Sequence, residues 1–466
     1  MNTNTTTHNP DGDVIAELIS ALGTGAVSTE PAVLREKAHD RSFHGAVPPL
    51  AVIRPTSTAE VSSAVAICAD HGVPVVPRGS GTGLEGGANT SAQSICLDLS
   101  AMDQIVEVAV DDMYACVQAG VMKSALNAEL AGHSLAFPVG PGVDASVGGM
   151  AATSASGTTA VGHGTLKENV TGLTAVLADG SVMSTGSTTK KTSAGYDLTH
   201  LLIGSEGTLG VITEITLRLH PVPEATRMGI WSLPSLGAAA DLVVASMRSS
   251  LHLARVELLD DATVESLTAY SGYTAPVAHT LMVEFEGSAA EVDAQYQQFT
   301  GLAHTFAAVE FASSSEPDES ALLWQARHDA LPAALALIPG SRAIPTDVCV
   351  PISRLPECVL ATHEDVLASG LTAPIVGHVG DGNFHVAVLL DPGDDDAEAR
   401  ARNFTARLVD RALAMGGTCT GEHGIGTGKV AALAQEHASS MNAMRAIKSA
   451  LDPKNIMNPG KVLAHA

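Results

Sequence analysis

The chain is short of cations, aromatics and paired cysteines. Lys and Arg number 25 against 50 Asp and Glu, a formal net charge of −25. A chain this acidic is repelled by phosphate backbones, which excludes nucleic-acid binding as its main activity. The six cysteines, Cys68, Cys96, Cys116, Cys349, Cys358 and Cys419, form no C-x-x-C pair. Their scatter argues against a disulfide framework or a cysteine-based zinc site and for reduced, buried thiols. No apolar run reaches the ~20 residues needed to span a bilayer. Positions 1–12 carry neither the basic region nor the apolar core of a secretory leader. The resulting expectation is a cytoplasmic protein, with peripheral association at the inner face of a membrane and a homodimer both left open.

What the chain does have is glycine. Of 466 residues 44 are glycine, while 45% are hydrophobic and 16% charged, the balance of a folded protein. Glycine without a collagen period marks tight turns and places where backbone must approach something closely. The length corresponds to roughly three domains of about 150 residues. Residues 1–46 read as a lead-in. A short strand at 51–54 follows, then a helix opened by Ser57 with Glu60 three residues on and ended by Gly72, then a strand at 73–76: one βαβ unit. Further strands are expected at 94–99, 105–110, 114–117, 173–177 and 210–219, so that 47–222 forms a glycine-rich domain. From 223 to 420 longer helices (236–248, 398–415) alternate with strands (280–286, 374–379), as in an α/β domain. Residues 421–466 hold a glycine-rich loop, a helix at 441–451 and a tail punctuated by Pro and Gly.

Three glycine tracts stand out. The first, PRGSGTGLEGG at 77–87, matches G-x-G-x-x-G, but its sequel leads into a strand at 95–99 rather than into the helix that a nicotinamide-dinucleotide site requires. What remains is a loop whose N–H groups can line a concavity for a pyrophosphate, with Arg78 at its entrance. The second tract, 138–157, has hardly a bulky side chain and suits backbone lying against a large flat ligand. The third, GSEGTLG at 204–210, repeats the theme.

Two further segments carry chemistry. The sequence 375–388 reads as a β-hairpin with Asp381-Gly382 as a two-residue type I′ turn, which would set His378 directly across from His385. Two imidazoles so placed can share a divalent cation, with Glu422 of the loop GEHGIG as third ligand; Zn, Mn and Fe all suit such a set. A hydrogen-bonded histidine pair without metal is the plainer alternative. His423 suits a general base, since imidazole is largely neutral near pH 7, and a fourth metal ligand is its competing role. Arg327 can clamp a carboxylate bidentately.

The three glycine tracts together resemble the FAD-binding domain of the vanillyl-alcohol-oxidase/p-cresol-methylhydroxylase (PCMH) superfamily. The chain from about 45 to 462 is similar to its branch of FAD-dependent, cytochrome-linked D-lactate dehydrogenases, near glycolate oxidase and D-2-hydroxyglutarate dehydrogenase. The resemblance implies an α+β fold: a PCMH-type two-subdomain FAD-binding domain, an α/β substrate (cap) domain and a C-terminal tail returning to the FAD domain. It implies FAD held by Arg78, Gly79, Ser80, Gly81, Thr82, Gly83, Pro141, Gly142, Ser146, Gly148, Gly149, Thr153, Ser156, Gly157, Glu206, Gly207, Gly210, Ile212 and Asn458. The binding would be non-covalent, because the first loop lacks the histidine that some relatives couple to flavin. It further implies Arg327, His378 and His385 as substrate-binding, metal held by His378, His385 and Glu422, and His423 as catalytic base. Leu331, Pro345 and Ala387, where hydroxyglutarate-oxidising relatives are polar, favour a small or apolar-tailed 2-hydroxy acid such as D-lactate. Electrons would pass to a cytochrome or quinone. A glycolate oxidase-type subunit, a metal-dependent hydrolase without flavin and a flavin module without chemistry are the rivals. The glycine tracts weigh against the hydrolase and an intact His423 against the inert module.

Overall fold

The computed structural model describes residues 10–271 and 273–464. The expected βαβ unit consists of strand Ala51–Ile53, helix Thr58–His71 and strand Val75–Arg78. Ser57 Oγ accepts the Glu60 N–H at 3.3 Å, and Gly72 closes the helix in the left-handed region at φ 67°. Strand Ile95–Asp98 lies between the two strands of this unit, parallel to both, and Val27–Ser28 adds an antiparallel edge. The loop after Arg78 runs without a helix into Ile95–Asp98, as the argument against a nicotinamide site requires.

A second sheet of the same half is antiparallel, in the order Ile105–Ala109, Tyr114–Gln118, Val211–Arg218, Val170–Val176, Val182–Gly186. Helix Thr58–His71 packs against its strands Val170–Val176 and Val211–Arg218. Both sheets therefore share one apolar core, which includes Val61, Val65, Leu97, Val117, Leu173 and Ile215. The tract 138–157 is not all irregular: it holds the helix Val147–Thr153, where the near-absence of large side chains hides a helical period. Gly148 in that helix packs so close to Ala119 that a Cβ would lie 2.5 Å from the alanine's Cβ.

The second half is built on an eight-stranded sheet whose pairings are all antiparallel, with Leu253–Leu259 and Ile375–Gly377 adjacent near its middle. Helices Leu236–Met247, Ala289–His304, Leu355–Ser369 and Ala397–Ala414 bury Trp231, Phe285, Phe299 and Phe404 with the sheet. Helices Asp261–Ser271, Pro317–His328 and Ala330–Leu337 pack elsewhere on it, around Met228, Ile230 and Met282. Helix Met441–Leu451 then leads the chain back to the first half. There Val75 N–H donates to Ile456 O and Asn458 N–H to Val75 O, both at 2.8 Å, so the tail extends the parallel sheet.

Candidate active site

A single cleft runs along the junction of the two halves. One end is walled by Arg78, Gly79, Ser80, Gly81, Thr82, Gly83, Pro141, Gly142, Gly148, Gly149, Thr153, Glu206, Gly207, Gly210 and Ile212. The loop needs glycine: Gly81 has φ 69°, and a Cβ there would collide with the Arg78 guanidinium. Four of the residues expected to hold a cofactor do not line this wall. Ser146 stands behind it, its Oγ accepting the Ser80 N–H at 3.1 Å. Asn458 ties the loop to the third glycine tract, donating from Nδ2 to Gly87 O at 2.9 Å and to Glu206 O at 2.7 Å. Gly157 packs against the Gly140 backbone, and the half-buried Ser156 immediately precedes it. These positions shape the wall from behind, a distinction invisible in a string of small residues. Glu206 does line the cleft, but its carboxylate accepts the N–H groups of Ile425 at 2.6 Å and Gly426 at 2.9 Å. Burial first, with Glu85 and Asp40 adding to it, pushes its pKa up to about 7.

The other end of the cleft carries Arg327, His378, His385, Glu422 and His423, with Leu331, Pro345 and Ala387 beside them. The hairpin that delivers the two histidines differs from the expected one. Its register pairs Val376 with His385, and residues 379–381 form a 3-10 turn closed by Gly382 at φ 77°. A type I′ turn needs positive φ at both central residues, and Asp381 does not have it. His378 therefore sits in the turn, not opposite His385 in the ladder. The rings still meet, with centroids 5.1 Å apart at 79°, and His423 stacks on His385 at 4.9 Å and 7°.

Glu422 Oε1 lies 3.0 Å from His378 Nε2 and 3.4 Å from His385 Nε2. Ligand atoms of these three residues fall within 4.8 Å of one another, the convergence a divalent ion needs. Burial opposes the charge of His378, yet the carboxylates of Glu257 and Glu422 outweigh it and push its pKa up to about 10. The site thus favours positive charge between these groups, and a metal ion can take the place of that proton. Glu422 Oε2 and His423 Nδ1 are buried without a protein partner among the described residues, which suits a bound group completing the site. A second convergent set, Asp347, His385 and His423, is a poorer metal site because Asp347 already accepts several protein donors. Burial holds the His423 imidazole below its ordinary value, with His385 and Lys429 acting alongside and Asp347 opposing. His423 is therefore neutral at pH 7, as a base must be.

Two buried carboxylates at this end were not anticipated. Asp347 Oδ2 accepts from Thr420 Oγ1 at 2.7 Å and from the N–H groups of Gly421, Glu422 and His423 at 2.8, 2.9 and 3.0 Å. Despite burial, His423, Lys429 and His385 hold it well below the usual carboxylate range. Glu257 accepts from Arg327 Nε at 2.6 Å and pairs with His378 Nδ1 at 2.7 Å. The signal for both was an acidic residue inside an apolar stretch, Glu257 in LARVELL and Asp347 in IPTDVCV. Such a residue is seldom buried without partners.

The two-sheet domain, its antiparallel-sheet cap and the glycine-walled cleft between them define an FAD-binding oxidoreductase of PCMH architecture. The family described as "FAD binding domain" matches residues 49–186, and "FAD linked oxidases, C-terminal domain" matches residues 222–462. The chain belongs to the FAD-linked oxidase family. It is 45% identical to "Probable D-lactate dehydrogenase, mitochondrial" of Danio rerio, covering 97% of this chain and 91% of that one. It is 42% identical to "D-lactate dehydrogenase [cytochrome], mitochondrial" of Arabidopsis thaliana, covering 91% and 75%. In fold it matches p-cresol methylhydroxylase with substrate bound, at a TM-score of 0.79 and 19% identity over 98% of both chains. The expected cytoplasmic location does not stand, because these relatives are mitochondrial by name. Free thiols do not separate one reducing compartment from another. Among the described residues no helix is long and apolar enough to cross a membrane.

Proposed function

We propose that the cleft oxidises a D-2-hydroxy acid, with D-lactate as leading substrate and pyruvate as product, and passes the electrons to an external cytochrome or quinone. The observation that carries this reading is the single cleft, glycine-walled at one end and lined by Arg327, His378, His385, Glu422 and His423 at the other. Residues 47–222 bind FAD non-covalently, 223–420 form the substrate domain, and 421–466 bring the loop with Glu422 and His423 onto both. When bound, FAD would supply a two-electron acceptor for the C2 hydrogen, and a divalent ion held by His378, His385 and Glu422 would supply positive charge that favours loss of the hydroxyl proton.

The remaining work falls to side chains. Arg327 pairs with the substrate carboxylate and so orients C2. His423 takes the hydroxyl proton, for which its lowered pKa fits it. Leu331, Pro345 and Ala387 surround the substrate's tail and offer no partner for a second carboxylate, which favours a short apolar tail over a diacid.

Anaerobic mixing of the yellow holoprotein with D- and L-lactate tests the reading. Bleaching by the D form alone is expected; equal bleaching by L-lactate removes the stereochemical assignment, and a protein that stays colourless on adding FAD removes the flavin. A panel of D-2-hydroxy acids with an artificial acceptor, run with and without chelator, fixes the preferred tail and the need for metal.

A further inference from the structure

We propose that Glu257 is the positioning residue that ties the substrate-carboxylate clamp to the metal-binding histidine, an inference that rests on the function proposed above. Glu257 lies in the strand Leu253–Leu259 and is completely buried. Its two oxygens are divided between two partners from distant parts of the chain. Oε2 accepts from Nε of Arg327, in the last turn of helix Pro317–His328, at 2.6 Å. Oε1 lies 2.7 Å from Nδ1 of His378, which follows the neighbouring strand Ile375–Gly377. The strands themselves are joined by the pairing of Leu258 with Gly377, so Glu257 is held next to the turn that carries His378.

Each contact does a specific geometric job. Capture of Arg327 at Nε fixes the guanidinium plane and presents the edge bearing its two Nη groups, the edge suited to a bidentate carboxylate. At His378, a proton on Nδ1 shared with Oε1 leaves the lone pair on Nε2, the nitrogen that faces Glu422. One rigid carboxylate therefore sets the spacing between the group that grips the substrate's carboxylate and the group that would hold the metal beside its hydroxyl. In a 2-hydroxy acid those two functions stand on adjacent carbons, so this spacing has to be short and fixed.

Glutamine is the informative replacement because it keeps the shape. Its amide can accept on one side only. Turned toward Arg327, the NH2 meets another donor; turned toward His378, it donates to Nδ1 and moves the ring proton to Nε2, where it blocks metal binding. Glu257→Gln therefore cannot satisfy both partners, and Glu257→Asp, a methylene shorter, cannot reach both.

The experiment compares wild type with both variants, each loaded with FAD. Retention of Zn2+ or Mn2+ after dialysis against chelator is measured by elemental analysis, KM and kcat with D-lactate separately, and the flavin spectrum and Tm report folding. For whichever variant folds and keeps its flavin, metal retention at least tenfold weaker or KM for D-lactate at least tenfold higher is expected. Wild-type metal retention together with wild-type KM in a folded variant overturns the inference. A wild type that oxidises D-lactate but never takes up metal overturns the coupling and leaves the function standing. A wild type that neither binds metal nor is reduced by D-lactate overturns both.

Discussion

In the proposed function His423 is the base, and its environment makes two expectations. Burial lowers its pKa from the ordinary 6.5, so the neutral form persists to lower pH than for a free imidazole. Flavin reduction by D-lactate should fall on the acid side with a midpoint below pH 6.5, which stopped-flow measurements across pH resolve. Replacing His423 by Ala should leave FAD bound and slow that reduction by about 100-fold or more, the usual worth of a general base; unchanged reduction would remove it from that role. His423, Arg327 and the histidine pair were legible as candidates in the sequence, from residue type and from the family resemblance, and all four line one end of the cleft. Glu257 and Asp347 were not. Their meaning comes from partners 70 or more residues away, Arg327 and His378 for one and the 420–423 loop for the other, and that pairing exists only after folding.

The loop that carries Glu422 and His423 is an element with almost no regular structure, and buried charges give it a shape. Asp347 from the second half gathers its first turn, and Glu206 from the first half holds Ile425 and Gly426. Lys429 closes it, donating to Asp347 O at 3.1 Å and lying 3.2 Å from Glu85 Oε1. Asp347→Asn removes the charge and leaves an NH2 facing donors in either orientation, the three backbone N–H groups on one side or Nδ2 of Asn383 on the other. We expect a loss of about 3 kcal/mol in urea unfolding, the scale for breaking a buried charged contact. Glu206 gives the loop a pH dependence of the opposite kind to an ordinary ion pair. Its folded pKa of about 7 exceeds the ordinary 4.5, so the folded state holds this proton more tightly. Its contribution to stability is complete below pH 4.5 and is lost as pH rises through 7. In the flavin-free protein, unfolding at pH 5 and pH 8 should differ less in Glu206→Gln than in wild type; equal differences would show that Glu206 does not titrate in this range. The helix Thr58–His71, by contrast, was readable to within a residue or two, because its cap and its closing glycine lie in its own sequence. The 375–388 hairpin was readable as a hairpin but not in register. Asp381-Gly382 is also what a 3-10 turn closed by a left-handed glycine looks like, and packing against the Val350 backbone decides between them.

At the scale of the molecule, the chain is one cleft between two separately cored halves, and its tail stitches the second half back to the sheet that begins the first. The scarcity of lysine and arginine, which set aside nucleic acid at the outset, acquires a positive use here. Reduced flavin must hand its electrons to a partner, and a surface carrying −25 attracts a basic protein over a distance set by the Debye length, about 10 Å at 0.1 M salt. A basic c-type cytochrome should therefore be reduced with a kcat/KM that falls by about tenfold or more between 20 and 200 mM salt, as steered associations do. A small uncharged quinone feels no such field, and its kcat/KM should be flat across the same range. If both acceptors lose rate together, salt is acting on the enzyme's own chemistry; if neither does, the acidic surface serves solubility and plays no part in choosing the acceptor.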